Sequence, residues 1–90
     1  LIMAVNLTCA LATGQTGFTP DDSGLVKEII IVTGSSSSAN DTGTYTTQMK
    51  QPQFAAVSCL TYSISGQVVT FTDEAGIGSG KVAGTVYGYP

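Results

Sequence analysis

The sequence predicts an all-β chain: a small antiparallel β-sandwich or barrel of about six strands with a C-terminal three-strand meander. Three observations point there. No segment carries a helical apolar period over ~10 residues, whereas several alternate apolar and polar side chains with a period of two. The most apolar stretch is β-branched, which favours strand over short helix. Clusters of Gly, Pro, Asn, Asp and Ser punctuate the alternating stretches at the spacing of a small sandwich or barrel.

From Met3 to Leu11 the chain alternates, with Val5, Leu7, Cys9 and Leu11 on one face and Asn6, Thr8 and Ala10 on the other. This is a half-buried strand. Thr13 to Gly24 is a loop by composition, with turn chemistry in Pro20-Asp21-Asp22-Ser23-Gly24 and Phe18 as its anchor to the core. Leu25 to Thr33 holds five β-branched aliphatics, Val26, Ile29, Ile30, Ile31 and Val32, in nine residues. Apolar side chains on both of its faces mark a central strand, or one trapped between sheet and partner.

Residues 34–43, GSSSSANDTG, are too polar to offset their ordering entropy and are expected to form an exposed loop. Thr44 to Lys50 alternates again, Tyr45, Thr47 and Met49 against Thr46, Gln48 and Lys50. Pro52 lacks a ladder donor and is expected to break the pairing. The meander follows: Phe54 to Ile64, a Ser65-Gly66 turn into Gln67 to Thr72, a glycine-rich loop, and Lys81 to Tyr89. In the first of these strands Phe54, Ala56, Ser58, Leu60, Tyr62 and Ile64 share a face. In the last, Val82, Gly84, Val86 and Gly88 oppose Ala83, Thr85, Tyr87 and Tyr89.

Residues 1–90 are expected to form a single β domain. A chain of 90 residues buries only ~60–65% of its unfolded surface, so a partner subunit is the expected aid to stability. Charged residues are 10% of the chain, against ~25% in an ordinary globular domain. A net charge of −3, with Lys27, Lys50 and Lys81 the only bases, gives no electrostatic footprint for nucleic acid or for an anionic membrane. A surface of Thr, Ser, Gly, Gln and Asn suits lasting contact with other protein, because charges are costly to desolvate at an interface core.

Cys9 and Cys59 leave two readings open. They can close a long loop as a disulfide, worth up to ~4 kcal/mol, or remain two buried thiols acting as small hydrophobes, the favoured reading. The N-terminal stretch lacks the basic region and apolar run of a signal peptide, and nothing approaches the ~18 apolar residues of a membrane span. Met3 is a candidate initiator, the native status of Leu1 and Ile2 stays open, and assembly in the cytoplasm is expected.

Catalytic chemistry finds little material, and no enzyme and no cofactor are expected. Glu74 to Val82, EAGIGSGKV, fails the phosphate-loop pattern: Ala75 stands where the first glycine belongs, Val82 follows Lys81, and a strand follows instead of a helix. The chain has no histidine, which removes Ser-His-Asp and Cys-His arrangements. Paired carboxylates would have to come from Asp21, Asp22, Asp41, Asp73 and Glu74 in three separate loops, with Glu28 on a strand. Calcium is the better use of the Asp41 and Asp73 loops, but their spacing matches no EF-hand, and no metal is expected. The sequons at Asn6 and Asn40 are disregarded.

The expected interface residues are Val5, Leu7, Gly84, Val86, Tyr87 and Tyr89. Tyr is enriched at contact surfaces, and Gly84 and Gly88 on a valine face suggest close approach of another backbone. The first and last strands, being terminal in sequence, are expected at sheet edges, where a strand can add to a neighbour's sheet. Deleting Val86 to Pro90 is then expected to abolish oligomer formation.

A Met3-Ala4-Val5 start running straight into a strand, strands rich in Thr, Val, Ala and Gly, loops poor in charge, and the closing KVAGTVYGY together resemble one group of proteins. They are similar to the small virion structural proteins of tailed bacteriophages, capsid decoration (cement) proteins above all. The resemblance is of overall texture and plan. It implies a β-rich protein on the outer capsid, located in the virion, that stabilises the expanded shell. Its partners would be the major capsid protein and itself, as a homo-oligomer, with a trimer expected. The cysteines depart from a plain cement protein and keep a tail or neck role open. The alternative from another class is a carbohydrate-binding β-sandwich using Tyr45, Tyr62, Tyr87 or Tyr89 as stacking platforms.

Overall fold

The computed structural model describes residues 6–35 and 37–90, and among them it contains eight strands and no helix. In chain order these are β1 (Leu7–Leu11), β2 (Thr19–Pro20), β3 (Val26–Gly34), β4 (Asp41–Thr46), β5 (Gln51–Val57), β6 (Leu60–Ser65), β7 (Val68–Asp73) and β8 (Lys81–Tyr89). The all-β class is therefore borne out. The strands form two antiparallel sheets, one ordered β1-β3-β8-β5 with β2 also on β3, the other β4-β7-β6. The first sheet lies over the second, with β1 against β4 and β5 beside β6.

The β-branched stretch becomes β3, a central strand as its composition demands, between β1 and β2 on one side and β8 on the other. Its Ile30 and Val32 point inward and are fully buried, together with Val86 of β8 and Val69 and Phe71 of β7. Leu7, Tyr45, Met49 and Leu60 complete the core. Phe71 is the largest of the fully buried side chains, and truncating it to Ala is expected to cost ~3–5 kcal/mol. That is a large share of the ~5–15 kcal/mol that holds an ordinary domain. Close approach between the sheets needs a glycine at 43, where a Cβ would stand 2.5 Å from the Leu7 Cβ.

Four expectations are corrected. The last three strands are not a meander: β6 and β7 form the expected hairpin, but β8 leaves them and inserts between β3 and β5 in the other sheet. The inner residues Gly84, Val86 and Gly88 gain a paired neighbour on both sides there, so the strand expected at an edge is interior. Second, the strand expected over Phe54 to Ile64 is two strands. Cys59 takes a left-handed φ of 64°, and the corner at Ser58-Cys59 carries the chain from one sheet to the other. Phe54 and Ala56 consequently face outward while Leu60 and Ile64 face inward.

Third, Pro52 does not end pairing. It lies within β5, on the sheet edge, where a register shift between Pro52 and Phe54 absorbs the missing donor. Last, residues 34–43 are only partly an exposed loop. Ser35, Ser38, Ala39 and Asn40 are exposed, but Gly34, Ser37, Asp41 and Gly43 are buried, and Ser37 bridges Gly78 through two backbone hydrogen bonds. Backbone bonds from the Gly34, Ser35, Ser37, Asn40 and Asp41 amides order this polar stretch without apolar burial.

Candidate interaction surface

The two sheets present different outer faces, and strand alternation determines both. On the five-stranded sheet the odd-numbered residues of β8 point out: Lys81, Ala83, Thr85, Tyr87 and Tyr89. Ladder register sets their neighbours. Ala10, Ile31 and Ala83 form one row, Ile29, Thr85 and Ala56 the next, and Lys27, Tyr87 and Phe54 the third. Phe54 stacks on Tyr87, ring centroids 4.8 Å apart and planes 17° from parallel, with Phe54 41% and Tyr89 48% exposed. Such a pair is worth ~0.5–1.5 kcal/mol beyond the area it buries.

Charge on this face is confined to its ends. Lys27 pairs with Asp21 at 3.4 Å beside the aromatic cluster, and Lys81 stands at the far end with no ion pair among the described residues. Asp21 is held below the usual carboxylate range, chiefly by hydrogen bonds from the Ser23 hydroxyl and amide and then by Lys27.

Opposite lies a face of hydroxyls. Thr42, Thr72 and Thr61 sit side by side across β4, β7 and β6, then Thr44, Thr70 and Ser63, then Thr46, Val68 and Ser65. The inward partners of these strands, such as Gly43, Tyr45, Val69, Phe71 and Leu60, supply the core.

Titratable groups inside the sandwich are occupied by structure. Glu28 is fully buried, in phase with Ile30 and Val32. Its Oε1 accepts from the Tyr45 hydroxyl at 2.5 Å, and its Oε2 from the amides of Gln48 at 2.9 Å and Met49 at 3.3 Å. It thus staples β3 to the far sheet. Burial, then the hydrogen bond to Glu28 and that group's charge, push the Tyr45 hydroxyl well above its ordinary value. Tyr45 is therefore no stacking platform.

Asp73 is the second buried acid. Its carboxylate accepts from the Ser37 hydroxyl at 2.6 Å and from the amides of Gly76 and Ile77 at 2.8 Å each. Burial on its own would raise its pKa, but the Ser37 hydroxyl and the Ile77, Gly76 and Ala75 amides outweigh it and hold the group below the usual carboxylate range. Register places Asp41 opposite Asp73, so the structure does bring the two suggested calcium loops together. Asp41 is itself held by the Asn6 side chain and the Ser38 amide, both at 2.8 Å. Among the described residues no group of three or more His, Cys, Asp or Glu could hold a metal, and no pocket opens. The sequence suggested Asp73 as a loop acid for calcium or catalysis and Glu28 as an acid on a strand, not as buried acids that tie elements together. The signals were there: Asp73 precedes a glycine-bearing turn, and Glu28 falls in the apolar phase of β3.

The expected interface residues divide. Tyr87 and Tyr89 lie on the outer face, Tyr89 well exposed. Leu7, Gly84 and Val86 are buried in the core, out of reach of any partner, and Val5 lies outside the described residues. Close backbone approach does occur at Gly88, but to this same chain, where a Cβ would stand 2.6 Å from the Pro52 Cα. Deleting Val86 to Pro90 would cut into an interior strand, so it tests folding before it tests assembly. Tyr62 is 40% exposed on open-edged β6.

Cys9 and Cys59 are both free, which corrects the possible disulfide. They are not two buried thiols either. Cys9 is half-buried on the inner row of β1, where burial raises its pKa to about 11, and Cys59 is exposed at the corner between sheets. The chain matches no family model, no curated protein and no solved structure.

Proposed function

We propose that the chain is a non-catalytic virion structural protein of the phage capsid-decoration type, acting by protein–protein burial. The supporting observation is the uncovered outer face of the five-stranded sheet. Phe54, Tyr87 and Tyr89 stand there beside Ile29, Ile31, Ala56 and Ala83, with charge only at the two ends. Aromatic residues concentrated on a charge-depleted surface are the composition of an interface core. The buried acids, Glu28 on the inner side of that sheet and Asp73 in the other, are committed to internal donors. The partners are further copies of the chain and the major capsid protein.

The test is co-purification. Peptides of this chain are expected in intact particles of the encoding phage after a density gradient, at a copy number comparable to that of capsomers. Their absence from purified particles would overturn the reading. A carbohydrate-binding module is the second reading, favoured by the exposed Phe54–Tyr87 stack with Tyr89. Hits on a glycan array that vanish on Tyr87→Ala would put it first.

A further inference from the structure

We infer that the outer face of the five-stranded sheet is covered by the same face of a second copy, related by a two-fold axis that runs the two β8 strands antiparallel. The inference rests on the reading of this face as a protein-contact surface, and goes beyond it by naming the occupant and its orientation.

Charge is the first argument. The face has a cationic end and an aromatic end, where Lys27 is neutralised by Asp21. Lys81 opens β8 with no ion pair among the described residues, while Tyr87, Tyr89, Phe54 and the Asp21–Lys27 pair lie at the other end. Two copies stacked with parallel β8 strands would set Lys81 over Lys81. The antiparallel stack sets each Lys81 over the partner's Tyr89, a favourable place for an ammonium group.

Relief is the second argument. The aromatic end carries the largest side chains of the face, whereas Ala10 and Ala83 at the other end are small, with Ile31 between them. The antiparallel stack lowers each Tyr87 onto the partner's Ala83 row, with Thr85 near the axis, so the sheets can approach to the ~10 Å of ordinary face-to-face packing at about −30°. A parallel stack would oppose ring to ring and leave a gap over the alanines.

Area is the third. Four main strands, β1, β3, β8 and β5, give roughly 480 Å² in projection, and more over the side-chain relief, below the ~800 Å² per partner of a standard interface. The dimer is therefore expected to be reversible and concentration-dependent. The hydroxyl face of the other sheet stays free on both sides of the pair.

Sedimentation equilibrium and directed cross-linking test this on the full chain with Cys59→Ser as background. The expected mass is twice the 9.2 kDa of one chain at high concentration. A mixture of chains carrying Lys81→Cys and Tyr89→Cys is expected to form the mixed disulfide, while neither variant cross-links to itself. Lys81→Glu is expected to weaken the dimer at least tenfold, and raised salt to weaken the unmodified dimer several-fold. A monomer at all concentrations, a trimer, or a disulfide between two Tyr89→Cys chains would overturn the inference. Failure of the broader reading looks different. A monomer that still co-purifies with phage particles overturns only the pairing, and a two-fold dimer absent from particles upholds the pairing while removing the virion role.

Discussion

The two outer faces of the sandwich are built from strands of the same kind and end up chemically unlike. One carries Phe54, Tyr87, Tyr89 and two isoleucines, the other eight hydroxyl side chains and one valine on a three-by-three grid. Both fold because β-branched Thr suits a pleated surface as well as Ile or Val does. The difference is one of hydration. Hydroxyls exchange hydrogen bonds with water at little cost, so the Thr face is content uncovered, while the aromatic face gains free energy when water leaves it. Strand propensity fixes where side chains point; what they do there depends on solvent.

Five experiments would break or sharpen that contrast. The largest effect is expected where the faces are tied together. Glu28→Ala leaves the Tyr45 hydroxyl and the Gln48 and Met49 amides without their shared acceptor in a dry interior, and should cost about 2–5 kcal/mol in urea unfolding. A loss under 1 kcal/mol would show that the two sheets do not depend on this staple. Next, Ala83→Arg should reduce self-association at least tenfold, whereas Thr70→Arg, at the centre of the hydroxyl grid, should leave it unchanged. Equal effects at the two positions would erase the distinction between the faces.

Acid should act on the hydroxyl side of the molecule first. The Asp73 carboxyl has a lowered pKa in the folded chain, so its contribution is fully present above the unfolded value of ~3.9 and disappears as pH falls through the lower folded value. The protection of the Gly76 and Ile77 amides, bonded to that carboxylate, is expected to fall as acid protonates it, before the β3–β8 ladder opens. Tyr45 works in the opposite sense: its raised pKa makes a contribution present below ~10 and lost above it, so alkali should loosen the Glu28 staple. The smallest effect is expected for Phe54→Ala, about 1 kcal/mol from the lost stack, set against no more than a few tenths for Ser63→Ala on the grid.

Much of the fold was legible because period-two alternation is local. It correctly separated Tyr45, Thr47 and Met49 from Thr46, Gln48 and Lys50, and it put Tyr87 and Tyr89 opposite Val86. What failed was non-local. Nothing in Lys81 to Tyr89 announces that its neighbours are β3 and β5, since antiparallel pairing is decided by whichever strands share a sheet and not by adjacency in sequence. The corner at Cys59 was hidden for a different reason. A left-handed backbone is usually marked by Gly or Asn, and a cysteine held at φ 64° by the strands on either side carries no such mark. Glu28 was passed over because an acid reads as surface, although its phase with Ile30 and Val32 placed it inward. The expected interface mixed both rows of β8, and only the odd-numbered one faces solvent.

The interior position of β8 has a consequence for how the protein is made. Synthesis runs from β1 to β8 at ~5–20 residues per second, and the strand that joins β3 to β5 is the last of the eight to leave the ribosome. Until it does, the isoleucines of β3 have β1 and β2 beside them but an unpaired edge on the other side, while the three-stranded sheet can already form from neighbouring segments. Nascent chains should therefore pass through a stage with half a sandwich and an open apolar strand, the state most exposed to wrong pairing between chains on one message.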